Sequence, residues 1–127
     1  GVVKNVYVDS YYGRKLGMTP TTGSRSNLQW VGGGRDLAAI LADIDDAIYV
    51  TSWLGGNADG TTGDFSFGLR GHRITKGEMG PPIGEMNVTG NLIDLFAALT
   101  EVGDDGWPYS SSYSPTLVFD GVQFSGA

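Results

Sequence analysis

One stretch limits what this chain can fold into more than any other: residues 61–74, Thr-Thr-Gly-Asp-Phe-Ser-Phe-Gly-Leu-Arg-Gly-His-Arg-Ile. Phe65, Phe67 and Leu69 alternate with Ser66, Gly68 and Arg70, the period-two pattern of a strand with one buried face and one face kept small or polar. A glycine on the small face removes the side chain that would hold another backbone or a ligand away. Gly68 and Gly71 therefore mark a strand open to close approach from outside, or else they relieve twist or carry a bulge. The stretch alone favours neither reading.

Other elements follow from periodicity and punctuation. Residues 2–8, Val-Val-Lys-Asn-Val-Tyr-Val, are β-branched and aromatic and read as a strand. Asp9-Ser10 offers an N-cap to a short helical turn that Gly17 ends. Residues 18–26 are a polar loop. A short strand over 27–31 closes on Gly32-Gly33-Gly34, which lacks the residues of a phosphate loop and reads as a turn. Leu37, Ile40, Leu41 and Ile44 fall at helical spacing and predict a helix over 36–44. Residues 47–54 return to a strand pattern, broken by Gly55-Gly56. Pro81-Pro82 confines the segment after the Thr61 stretch to an edge or crossing position. Residues 85–88 resume a strand, and Leu92, Leu95, Phe96 and Leu99 form the buried stripe of a second helix beginning at Thr89. Asp120-Gly121 between residues 116–119 and 122–124 predicts a hairpin. The order gives an α+β fold, mainly antiparallel sheet with two main helices, in a single domain. Phe65, Phe67, Leu95 and Phe96 are the expected core.

Composition narrows the partners. The net charge of -6 opposes direct nucleic-acid binding, because phosphate contacts draw their affinity from Lys and Arg. No run approaches the ~18 apolar residues of a membrane helix, so no membrane partner is expected. The absence of cysteine excludes thiolate metal sites and fits a reducing compartment. Asp43, Asp45 and Asp46 lie close in sequence but lack the spacing of a calcium loop, and read as a solvated helix end.

Residues 57–68, Asn-Ala-Asp-Gly-Thr-Thr-Gly-Asp-Phe-Ser-Phe-Gly, resemble the Asn-Pro-x-Thr-Gly-Asp-Phe/Tyr-Ser-x-Gly signature of the TldD/PmbA family. These are the "modulators of DNA gyrase", a zinc-protease family. Five further blocks are similar to it: residues 9–17, the segment entering Gly55-Gly56, the Asn91-Leu92 helix, Val102-Gly103-Asp104-Asp105, and the closing segment over residues 116–124. The resemblance implies that residues 1–127 are the C-terminal portion of such a protein, its N-terminal portion lying outside this chain. The immediate strand-like start after Gly1 carries the same expectation.

In the TldD branch, the resemblance implies, zinc is held by two histidines of a His-Glu-x-x-x-His helix and a cysteine near the C-terminal hairpin. This chain has one histidine, His72, and no cysteine, so no metal ligand and no catalytic residue is assigned. A serine hydrolase is the weaker reading: Asp64, Ser66 and His72 have the residue types of a triad, but the nucleophile elbow is missing. The implied function is the C-terminal domain of a PmbA/TldE-like protein, the non-catalytic subunit of a cytoplasmic zinc-dependent peptidase complex that processes unfolded peptides. Zinc is expected only on the TldD-like catalytic partner. The alternative is a structural or homodimerisation domain without peptide affinity. Gly63, Asp64, Ser66, Gly68, Arg70 and Gly71 are the candidates for a peptide or partner edge.

Overall fold

Local chemistry starts each helix where a side chain supplies the missing hydrogen-bond acceptor. In the computed structural model, which describes residues 2–126, Asp9 Oδ1 accepts from Tyr12 N at 2.7 Å to open α1 (Ser10–Leu16), and Gly17 closes it at φ 67°. Asp36 Oδ1 accepts from Ala39 N at 2.9 Å to open α2 (Leu37–Leu41). Asn91 Oδ1 does the same for α3 (Leu92–Ala97) through Ile93 N at 2.9 Å. Among the described residues there are thus three short helices, and both main ones are shorter than their apolar stripes suggest. Thr89, Gly90 and Asn91 belong to the preceding strand, so α3 starts three residues later than expected.

The main sheet is antiparallel, in the order β2 (Asp46–Ala58), β3 (Asp64–Thr75), β5 (Met86–Asn91), β9 (Phe124–Gly126). The strand β4 (Glu78–Pro82) pairs with the far end of β3, which accommodates Pro81-Pro82 at an edge. Two small sheets flank it: β1 (Leu28–Gln29) runs parallel to β7 (Ser112–Tyr113), and β6 (Leu99–Val102) antiparallel to β8 (Leu117–Phe119). A mainly antiparallel α+β fold in one small domain is what the structure shows. Its core packs Phe65, Leu69 and Val88 against Ile48, Val50 and Phe67.

Three expectations fail, each because a strand's partner is not a local property. Residues 2–8 are in no strand; only Val8 is buried, its N–H donating to Thr21 Oγ1 at 2.9 Å and its carbonyl accepting from Thr21 N at 2.8 Å. Gly55-Gly56 does not break β2. It continues through them with φ of 121° and 155° and a register shift between Trp53 and Gly55. Asp120-Gly121 makes no hairpin: β8 is held by β6 and β9 by β5, so the turn at Gly121, φ 67°, carries the chain from one sheet to another. Phe96 is also misplaced as core. It is 48% exposed, its ring 5.8 Å from Trp30 and 6.1 Å from Phe119.

Candidate functional site

The period-two pattern of β3 is realised as far as Leu69: Phe65 and Leu69 are buried, Phe67 is half-buried, and Ser66 and Arg70 are exposed. Beyond that point the pairing with β2 slips between Val50 and Ser52, opposite Gly71 and Arg70. Gly71 sits at this bulge, buried, where a Cβ would overlap the Tyr49 carbonyl. Its glycine serves the contact between β2 and β3. Gly68 is different. A Cβ there would meet Leu54 Cβ and Asn87 Oδ1 at 3.4 Å each, close to ordinary contact.

The backbone of β3 is not open to an outside strand. One edge is taken by β2, and the other by β5 along its first half and by β4 along its second. The expectation that Gly68 and Gly71 present main chain to a peptide is therefore corrected: both lie on a central strand.

The signature residues before β3 build a clasp. Asp59 Oδ1 accepts from Thr61 N at 2.7 Å and Thr62 N at 3.0 Å, tightening the turn between β2 and β3. Asn91 Nδ2 then donates to both Thr62 O and Asp64 Oδ1 at 2.9 Å, while its Oδ1 caps α3. Leu92 N donates to Gly63 O at 2.8 Å, and Gly63 turns at φ 84°. Amide donation from Asn91, then the Thr62 hydroxyl, holds the Asp64 carboxyl below its ordinary range. The Thr62 and Thr61 backbone N–H groups do the same for Asp59. Gly63 and Asp64 thus join the hairpin tip to the β5–α3 junction.

Hydrolytic machinery does not assemble from the remaining candidates. Ser66 and His72 lie on one extended strand, six residues and about 20 Å apart. His72 Nδ1 is 3.0 Å from Gly80 O, and Asp64 is engaged by Asn91. Zinc does not fit the donor set either: among the described residues no three His, Cys, Asp or Glu side chains converge. The acidic run reads as partnered surface, Asp46 taking both a 3.0 Å and a 2.9 Å bond from Arg73 and Asp43 an ion pair from Arg35. Arg35 also grips Glu101 through two 2.7 Å bonds, tying the start of α2 to β6 and lowering the Glu101 pKa.

The feature that strand-pattern reasoning missed is beside the signature, on β2. It is an end strand of the main sheet, so its outer edge has no partner among the described residues. Every residue over 51–58 is exposed, Trp53 at 59%, and a side chain at Gly55 would meet nothing within 4 Å. Pairing order is what sets an edge apart from a centre, and no periodicity in residues 47–58 records it.

A model described as the PmbA/TldA metallopeptidase C-terminal domain matches residues 1–126. The chain belongs to this family. A metalloprotease PmbA homolog of Haemophilus influenzae is 30% identical over 131 residues, taking in 99% of this chain and 29% of that protein. A zinc metalloprotease TldD homolog of Saccharolobus solfataricus is 25% identical, over 83% of this chain and 26% of its own. The crystal structure of a putative modulator of DNA gyrase from Bacteroides thetaiotaomicron superposes with a TM-score of 0.92 at 42% identity, covering 100% of this chain and 29% of that one. TldE from Thermococcus kodakarensis shares the fold, with a TM-score of 0.85 at 20% identity over 99% of this chain and 32% of its own. This PmbA/TldA C-terminal domain thus spans about three-tenths of the length of the curated PmbA relatives it matches.

Proposed function

We propose that this chain is the C-terminal domain of a non-catalytic PmbA/TldE-like subunit that works beside a zinc-bearing catalytic subunit in a cytoplasmic peptidase complex. In this reading it takes up an extended peptide, or a strand of its partner, along the free edge of β2. The observation that carries the reading is the state of residues 51–58, which are exposed throughout and form a long unpaired strand edge. Such an edge offers main-chain hydrogen bonds to any extended segment, whatever its sequence, which suits the capture of unfolded peptides. The lack of cysteine supports the non-catalytic half, because the ligand that the resemblance places near the C-terminal hairpin in the TldD branch has no counterpart here. The net charge of -6 argues against nucleic acid as the partner.

A purely structural or dimerisation domain would use the edge against a symmetry mate instead. Leu54→Lys in the full-length protein with its catalytic partner separates the readings, since a lysine on an edge strand opposes strand addition. Complex formation and peptide cleavage are followed separately. Intact assembly with lost cleavage is the expected result. Lost assembly assigns the edge to a partner strand, and wild-type behaviour in both assays removes β2 from the functional surface.

A further inference from the structure

A glycine after an aspartate leaves its amide nitrogen unshielded, since it has no Cβ to block approach, and the aspartate side chain has the length to close a five-membered ring onto that nitrogen. The chain holds three such pairs, Asp59-Gly60, Asp105-Gly106 and Asp120-Gly121. As sequence, the three pairs are equivalent.

Their surroundings differ. Asp59 Oδ1 accepts from the Thr61 and Thr62 N–H groups at 2.7 Å and 3.0 Å. Asp105 is held at both oxygens, Oδ1 accepting from the Thr116 N–H and Oδ2 from the Thr116 hydroxyl, each at 2.7 Å. Partial burial opposes the charged form of Asp105, yet these bonds outweigh it and keep the carboxyl below its ordinary range. Gly106 is crowded as well, with the space beside its Cα filled by the Tyr113 ring. A bonded carboxylate has to give up its partners before it can turn onto the following amide, and it has to gain a proton, because its oxygen leaves as water only from the acid form. Both requirements slow Asp59 and Asp105.

Asp120 has neither restraint. It sits exposed in the bend between β8 and β9, its own N–H donating to Ala98 O at 2.9 Å. Among the described residues its carboxylate takes part in no hydrogen bond or ion pair. Gly121 is exposed at φ 67°, with nothing within 4 Å of where a Cβ would stand, and its N–H has no backbone acceptor among the described residues.

We propose that Asp120-Gly121 is a site of spontaneous backbone modification, at which Asp120 converts to isoaspartate through a cyclic imide. The Gly121 nitrogen attacks Cγ of the protonated carboxyl; the N–Cγ bond forms, and the carboxyl OH leaves with the amide proton as water. Water then adds to one of the two imide carbonyls. Cleavage of the N–Cγ bond restores Asp120, and cleavage between the nitrogen and the main-chain carbonyl carbon leaves the chain running through Cβ and Cγ. No other reactant is needed. The product adds one methylene to the main chain where it crosses from the β6–β8 sheet to the main sheet. β9 is an end strand held to β5 over Met86↔Gly126, Asn87↔Ser125 and Val88↔Phe124, so it is the element that the longer link loosens. The proposal does not depend on the peptidase reading.

The test ages the full-length folded protein at mildly acidic pH and maps its peptides by electron-transfer fragmentation, which separates isoaspartate from aspartate. Asp120 should convert faster than Asp59 and Asp105 by at least about 10-fold, the weight of one hydrogen bond to a charged group. Equal rates, or faster conversion at either of the other two, would overturn the proposal. In urea, where the folded-state bonds are gone, the three sites should convert at similar rates. The same ranking in urea would assign it to flanking sequence and overturn the structural argument. Asp120→Glu, whose ring would be six-membered, should abolish the conversion at this position, and a surviving signal there would overturn the imide route. In the aged sample the β9 amides should exchange with solvent faster in modified than in unmodified chains, and identical exchange would overturn the consequence drawn for β9.

Discussion

The strands β2 and β3 are neighbours of similar length in one sheet, yet they have opposite surroundings. β3 has partners on both edges and carries three of the buried hydrophobic residues, Phe65, Leu69 and Ile74. β2 has a partner on one edge, and every residue of its outer half, 51–58, is exposed. The family signature runs through the hairpin tip and β3, while the surface available to another molecule lies on β2. The residues of that stretch are architecture: Asp59, Gly63, Asp64 and Asn91 close the hairpin onto α3, while the adjacent edge of β2 has no strand partner among the described residues.

The contrast breaks most directly at the core side of β3. Phe65→Ala should lower stability by ~3–5 kcal/mol in urea melts, whereas a loss below ~1 kcal/mol would mean that β3 is no better buried than β2. The next effect is at the bulge. Gly71→Ala should cost ~2–3 kcal/mol, because the Cβ drives into the Tyr49 carbonyl and the backbone must move. Gly68→Ala, with 3.4 Å contacts to Leu54 and Asn87, should stay within ~1 kcal/mol. Equal losses at the two glycines would erase the distinction between close approach and spare room.

The clasp is the third target. Asn91→Ala removes the α3 cap together with the bonds to Thr62 and Asp64, and should cost ~1–2 kcal/mol. The same substitution sharpens the electrostatic side. Because Asp64 and Asp59 have folded-state pKa values below their unfolded ones, their contribution to stability is present above about pH 3.9 and is lost as pH falls through the folded-state values. A carboxyl-carbon titration by nuclear magnetic resonance should show Asp64 moving up toward the ordinary range in Asn91→Ala while Asp59 stays in place. No movement of Asp64 would mean the amide does not hold it. The smallest stability effect belongs to β2: Leu54→Lys, at a side chain 49% exposed, should shift the urea midpoint by no more than ~0.5 kcal/mol equivalent. A larger loss would show that this half of β2 is structural after all.

Much of this was legible in the residues themselves. Apolar spacing located the β3 strand and the α2 stripe, and Asp9 announced the start of α1, because periodicity and capping act within a few residues of the chain. The candidate site was legible only in part: the signature drew attention to Gly63, Asp64, Ser66, Gly68, Arg70 and Gly71, but not to the unpaired edge one strand away. Tertiary structure alone decided which strands pair. Residues 2–8 have the composition of a strand and no sheet to join; Asp120-Gly121 has the form of a hairpin turn but separates two sheets; Gly55-Gly56 has the form of a break but lies inside β2. The physical reason is that a strand's hydrogen bonds and buried face are supplied by residues remote in sequence, so composition specifies the capacity to form a strand, and only the assembled sheet determines whether that strand becomes its centre, its edge, or no strand at all.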